Sequence, residues 1–209
     1  MFSVKMQTDT MIKLRVDVDY PYPSRIRSFI YTALGTKTDK NYLKNSKIIA
    51  KMINKSTKEV KTVWFFTPKT IPDKELLTLL DNNKHEIGLH IINEPYKELE
   101  LLETMTGKRI RYYTIHGTAR LLARMMWKRW KAKKPKIPDD YPLQSYYQFT
   151  TSSLDVICHT HTPQQAFEIA KNYINEEHVL HFHPIWLFQR GRINRRGPFY
   201  ETLRRILEV

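Results

Sequence analysis

The sequence predicts an α/β fold, because short runs rich in valine, isoleucine and aromatic residues alternate with longer segments of helical period. The chain has 209 residues, of which 41% are hydrophobic, and this is enough to bury the core of one domain. No change of composition divides the chain, so we expect a single domain over residues 1–209. The alternation favours a barrel of seven strands and helices, and an open doubly wound sheet fits it nearly as well.

Seven short segments predict strands, since each is rich in β-branched or aromatic residues. In chain order they are MIKLRVDV, VKTVWFF, HEIGLH, IRYYTIH, YYQF, LDVIC and VLHFH. In both candidate folds the chemistry is expected at the C-terminal ends of the strands. The polar residues that end these strands are therefore the candidates for a functional site.

The segments between the strands have helical period. NYLKNSKIIAKMIN is the first, and PDKELLTLLDNN follows with Pro72 at the first helical position. PYKELELLETMTG begins at Pro95 and ends at Gly107, a favourable C-cap residue. TPQQAFEIAKNYINEE opens on Thr162 as its N-cap, and PFYETLRRILEV is the last helix. WKAKKPKIPDDYPL, with three prolines, predicts a surface loop.

The composition limits the cellular setting and the possible metal ligands. The single cysteine excludes an intrachain disulfide and a thiolate-rich zinc site, so a metal site must use histidine and carboxylate. There is no apolar run near the ~18 residues that span a bilayer, and the N-terminus lacks a secretory signal pattern. We therefore expect a cytoplasmic protein.

The net charge of +14 would attract anionic partners, nucleic acid among them. Much of the excess lies in residues 119–136 and 189–196. Both segments fit solvated surfaces as well as they fit a binding surface, so the charge alone names no reaction.

The first strand ends in the acidic pair Asp17 and Asp19. Side chains alternate across a strand, so both acids point to one side, together with Arg15. Two carboxylates on one face of an apolar strand are costly to bury unless a metal or a cation pairs with them. The alternative is that both acids lie beyond the strand and cap the next helix.

Histidines end three further predicted strands, namely His90, His116 and His183. His181 shares a strand face with His183, whereas the odd separation of His85 from His90 sends those two rings to opposite faces. We therefore predict that His85 begins the strand and has a structural or surface role. Three histidines at strand ends, together with the aspartates of the first strand, predict a site of metal and acid–base chemistry.

These residues lie in segments that resemble the motifs of the polysaccharide deacetylase family, also called the NodB-homology or carbohydrate esterase 4 group. Its members carry a TFDDG-like first motif, an ATFF-like strand, GHEIGNH leading into H-S/T-x-x-H, an R-x-P-Y-G-like motif and a late L-x-H. The corresponding segments here are RVDVDYP, TVWFFTP, KHEIGLH, YTIHG and LHFHP. Their order and intervals match over roughly residues 11 to 190.

The resemblance implies a distorted (β/α)7 barrel that holds one divalent metal ion, usually zinc, and hydrolyses a C–N amide bond. It implies N-deacetylation of an N-acetylated sugar or a related small amide, with a carbohydrate or small molecule as the partner. By position, Asp17 corresponds to the catalytic base, Asp19 to the metal-binding aspartate, His90 to the first histidine ligand and His183 to the general acid.

Three positions depart from the family pattern. The second histidine of the H-S/T-x-x-H motif is replaced by Glu94, Tyr113 stands where the third motif has arginine, and Asp155 is only a loose candidate for the fourth motif. Carboxylate is an acceptable zinc ligand, so Glu94 and His116 are alternatives for the third metal ligand beside Asp19 and His90.

A second hypothesis is a barrel that has lost its catalytic function and binds nucleic acid or another polyanion. Trp127 and Trp130 are interleaved with basic residues, a pattern suited to stacking on bases and contacting phosphates. This hypothesis requires no metal, and zinc content therefore separates it from the hydrolase.

Overall fold

The computed structural model describes residues 10–18, 42–116, 135–189, 192–193 and 197–209. Seven strands of these residues form one sheet in the order β5-β4-β3-β2-β1-β7-β6, and every neighbouring pair is parallel. The strands are β1 (Ile12–Val18), β2 (Val60–Phe66), β3 (His85–Ile91), β4 (Tyr112–Ile115), β5 (Gln144–Ser145), β6 (Thr151–Ser153) and β7 (Val179–Phe182). A separate antiparallel pair joins β8 (Phe188–Gln189) to β9 (Arg192–Ile193).

Six α-helices alternate with the strands in the described ranges. They are α1 (Tyr42–Lys55), α2 (Lys74–Leu79), α3 (Pro95–Thr106), α4 (Leu154–Thr160), α5 (Pro163–Asn175) and α6 (Pro198–Leu207). The sheet curls into a half-barrel whose edge strands are β5 and β6, so the fold is a distorted (β/α)7 barrel. The expected fold class is thereby confirmed.

The two faces of the sheet have different surroundings. On the outer face, alternate strand residues pack against the helices in the main core, among them Leu14, Val16, Trp64, Phe66, Leu89, Ile91, Leu180 and Phe182. The intervening residues face the inside of the half-barrel, where Val63, Phe65, Tyr146 and Val179 form a smaller apolar cluster. The polar residues of the candidate site belong to this inner face.

Gly88 provides the space that the inner cluster needs. Gly88 is the register partner of Phe65, and a Cβ at this position would lie 2.5 Å from Cε1 of the Phe65 ring. The ring is fully buried, so it has little room to move. Glycine therefore allows a phenylalanine to fill the inner face directly beneath the strand ends.

The helix ends follow the predicted signals in two cases. Thr162 caps α5 in a capping box with Gln165, and Gly107 ends α3 in the left-handed region at a φ of 64°. The start of α2 differs, because the Asp73 side chain accepts a hydrogen bond from Leu76 N and the helix begins at Lys74. Pro72 is therefore not the first helical residue.

Two predicted strands are wrong. Residues 146–148 of YYQF form a 3₁₀ helix, and the strand next to it is β5. LDVIC belongs to α4, because Ser153 caps the helix and Leu154, Ile157 and Cys158 are buried at helical spacing. The strand in this region is β6, which immediately precedes the helix.

No helix in the described residues is long and apolar enough to cross a membrane.

Candidate active site

Asp17 lies near the C-terminal end of β1 and is paired with Arg15 on the same face of the strand. Arg15 Nε donates to Oδ1 at 2.9 Å and Nη2 donates to Oδ2 at 2.6 Å, which makes the pair bidentate. The two side chains are 7% and 3% exposed, so both charges are removed from water. The guanidinium also lies 5.5 Å from the ring centroids of Phe65 and Tyr147. The inner face therefore holds a rigid, buried carboxylate.

The Asp17 carboxylate is held in its ionised form. Burial by itself raises the pKa of Asp17, but His90, His181 and Arg15 oppose this and hold it well below its ordinary value. Burial lowers the pKa of His90 to about 3, so that ring is neutral at physiological pH. His90 acts on Asp17 only when its ring is charged, so at physiological pH the permanent charge of Arg15 and the hydrogen bond with His181 stabilise the Asp17 anion.

Two histidines lie next to Asp17, His181 in β7 and His183 directly after that strand. Since β7 is paired directly with β1, with Arg15 opposite His181, these rings are brought to the same place on the inner face. His181 Nε2 is 3.1 Å from Asp17 Oδ2, and the His181 and His183 ring centroids are 4.8 Å apart. The closest ligand atoms of Asp17, His181 and His183 all lie within 4.8 Å of one another.

His183 is oriented by Asp155. Its Nδ1 is 2.5 Å from Asp155 Oδ2, and its backbone N–H donates to Asp155 Oδ1 at 3.2 Å. Asp155 lies in the first turn of α4 and is buried. A carboxylate on Nδ1 fixes the proton there and directs Nε2 to the opposite side, an arrangement shared by catalytic and metal-binding histidines.

His90 lies near the C-terminal end of β3, and in the strand order β3 and β7 lie on different sides of β1. Its Nδ1 is 2.6 Å from Oγ1 of Thr114, its register partner on β4, and the centroids of the His90 and His116 rings are 5.1 Å apart. Burial keeps the His90 imidazole neutral, and a neutral imidazole is the form that binds metal. The pair of rings from two neighbouring strands thus offers two nitrogen donors.

The alternatives for the third ligand are placed very differently. His116 lies beside His90, whereas the Glu94 side chain is 60% exposed and pairs with Lys97 at 2.6 Å. Glu98 fixes the loop that leads from β3 into α3. Its carboxylate accepts hydrogen bonds from the backbone N–H groups of Ile92, Asn93 and Glu94 at 2.8 to 3.0 Å. The exposure of Glu94 and its ion pair with Lys97 do not favour Glu94 as a metal ligand. Asp19 lies outside the described residues, so its ligand role stays a prediction.

His85 occupies the outer face, as strand alternation predicts. Trp64 Nε1 donates to His85 Nδ1 at 3.0 Å, and His85 Nε2 is 2.8 Å from Asn54 Oδ1. Both ring nitrogens have partners, and burial lowers the pKa of the ring to about 4. His85 is a structural residue of the core.

The sequence interpretation missed two contacts that shape the site. Strand alternation places both His181 and Asp17 on the inner face, and β7 is paired with β1, so the two side chains are in contact. The alternation was the signal that could have indicated this contact. The role of Asp155 was obscured because its segment was assigned to a strand and not to a helix.

The basic residues 119–134 and the tryptophans Trp127 and Trp130 lie outside the described residues, so the nucleic-acid hypothesis stays untested.

Comparisons with known proteins gave three structural matches. No family model and no curated protein matches the chain. The structures are the wild type of a CE4 family pseudoenzyme from Bacillus anthracis, a mutant of it with restored enzymatic activity, and a further mutant. Their sequence identities are 13%, 14% and 13%, with TM-scores of 0.45, 0.45 and 0.47.

Each match covers 96% of this chain but only 61% to 63% of the solved structure. The chain therefore spans about six-tenths of the length of the proteins it matches. CE4 is also the group that the sequence motifs resemble.

Proposed function

We propose that the protein is a metal-dependent hydrolase of non-peptide C–N amide bonds, and that it removes an acetyl group from an N-acetylated sugar or a related small amide. One observation carries the proposal. A buried, ionised Asp17 and a histidine oriented by a carboxylate, His183, meet at the C-terminal ends of two adjacent parallel strands. This combination supplies a base and an acid at the place where such folds have their chemistry.

The two groups have complementary roles in the proposed reaction. Asp17 accepts a proton from the attacking water, and the bidentate contact with Arg15 keeps its carboxylate fixed and unprotonated for that step. His183 delivers a proton from Nε2 to the leaving amine, while Asp155 on Nδ1 stabilises the charged ring. His183 therefore starts the step protonated, and it regains a proton when Asp17 gives up the one taken from water, so that base and acid are both restored.

The side chains at the C-terminal ends of β3 and β4 have the donor atoms that a zinc ion needs. His90 and His116 offer two imidazoles, and Asp19 is the proposed carboxylate ligand, a set typical of catalytic zinc. A bound zinc ion would lower the pKa of its water and polarise the scissile carbonyl. Thr114 contacts the Nδ1 of His90 and orients that ring, and Nε2 is the nitrogen that would bind the metal.

The test is release of acetate by the zinc-loaded protein from a panel of N-acetylated amino sugars and small amides. Asp17→Asn and His183→Gln should each lower the rate by about 10²- to 10⁴-fold, the usual contribution of a positioned base or acid. The matched control is His178→Gln, a histidine just before the N-terminal end of β7 that contacts Ser152. It should leave the rate unchanged.

Two results would count against the hydrolase. The first is no acetate release from any substrate by wild-type protein that carries zinc. The second is an Asp17→Asn rate equal to that of the wild type, which would remove Asp17 from the role of base.

A further inference from the structure

Asp17, His181 and His183 form a second group of metal donors beside the site proposed above. Their donor atoms lie within 4.8 Å of one another, and they comprise one carboxylate and two imidazoles. His181 has no part in the proposed proton transfers. Its position on the inner face next to Asp17 therefore calls for a role of its own.

The spacing of His181 and Asp17 suits a shared cation. His181 Nε2 and Asp17 Oδ2 are 3.1 Å apart. Two ligands at zinc bond lengths of about 2.0 to 2.1 Å in a tetrahedron are separated by about 3.3 Å. A zinc ion can therefore replace the proton between these two atoms with only a small movement of either side chain.

His183 completes the set because its orientation is already fixed. Asp155 holds Nδ1 at 2.5 Å, which is the carboxylate–histidine contact that commonly supports a metal ligand. The His181 and His183 side chains are each 20% exposed, whereas Asp17 is 3% exposed. The two rings thus give a cation access from solvent to the buried carboxylate.

We infer that Asp17, His181 and His183 form a second divalent cation site, which takes zinc and inhibits the enzyme when it is filled. Arg15 remains on the carboxylate, and its positive charge makes this site weaker than the one at His90 and His116. Binding the ion would occupy the base and the acid together. The inhibitory effect rests on the proposed function, whereas the binding itself does not.

The experiment is a zinc titration of the full chain against a chromophoric chelator. The wild type should bind one tight and one weaker ion, and His181→Leu should bind one ion fewer. His181→Gln provides a second, polar replacement in case the leucine variant fails to fold. His178→Gln, which changes a histidine at the other end of β7, should keep the wild-type number.

The inference is overturned if the wild type binds no weaker ion or if both folded His181 variants bind as many ions as the wild type. Cobalt(II) gives an independent measurement, because the wild type should gain a second visible absorption component that the His181 variants lack. In the activity assay, excess zinc should slow acetate release by the wild type at least tenfold and leave His181→Gln unaffected.

These measurements separate the two proposals. Absence of acetate release with the weaker ion still bound would reject the hydrolase and retain the cation site. Normal acetate release with no dependence on excess zinc and no weaker ion would retain the hydrolase and reject the cation site.

Discussion

His85 and His90 lie on the same strand, five residues apart, and both are buried. Burial lowers both pKa values, to about 4 for His85 and about 3 for His90. His85 faces the outer core and has Trp64 and Asn54 on its two nitrogens. His90 faces the inside of the half-barrel, within the electrostatic influence of Asp17, and its ring lies beside that of His116.

The difference between the two histidines arises from strand parity. An odd separation places consecutive histidines on opposite faces, where one meets a closed hydrogen-bond network and the other meets charged groups and candidate metal ligands. A depressed histidine pKa therefore does not identify a functional residue, because both faces produce it. The partners of the ring distinguish the structural residue from the candidate ligand.

The largest expected effect concerns the charge pair that distinguishes the inner face. Arg15→Met leaves the Asp17 carboxylate buried without its cation, and we expect the free energy of unfolding to fall by about 3–5 kcal/mol. Urea unfolding at neutral pH measures this change. The double variant Arg15→Met/Asp17→Leu should recover most of the loss, because an apolar pair leaves no buried charge. A loss below about 1 kcal/mol in the single variant would contradict a tightly coupled pair.

A smaller effect concerns the outer face. The folded pKa of His85 is about 4 and its ordinary value is 6.5, so the folded state favours the neutral ring. Its stabilisation is complete above pH 6.5 and is lost as the pH falls through the window from 6.5 to 4. Protonation would also place a donor on Nδ1 against the Trp64 N–H.

Between pH 7.5 and pH 5, the wild type should lose about 2 kcal/mol more unfolding free energy than His85→Gln, which cannot titrate there. Urea unfolding of both proteins at the two pH values gives the difference directly. Equal losses would show that His85 is as easily protonated in the folded protein as in the unfolded one.

Strand periodicity predicted most of the fold. The five longer strands were found because their apolar residues are buried on both faces or alternate clearly, as in VKTVWFF. The segments around β5 and β6 were misassigned because these strands have two and three residues, too few to show a period. The side chains of Ser145 and Ser153, the last residues of these strands, act as N-caps of the helices that follow directly.

Strand parity predicted which side chains share the inner face of the candidate site. The pairing of Arg15 with Asp17 follows from a separation of two residues on β1. The contacts of Asp155 with His183 and of His90 with His116 join different elements, so they depend on packing that sequence spacing does not describe. For the same reason the sequence leaves the choice between Glu94 and His116 open.

The most direct test of the account is the zinc content of His90→Gln and His85→Gln after dialysis against buffer with limiting zinc. We predict that His85→Gln retains the tightly bound ion, while His90→Gln binds zinc at least about 100-fold more weakly and retains none, since loss of a ligand costs more than loss of a supporting contact. Equal zinc retention by the two variants would contradict the assignment of the inner face as the metal and catalytic face.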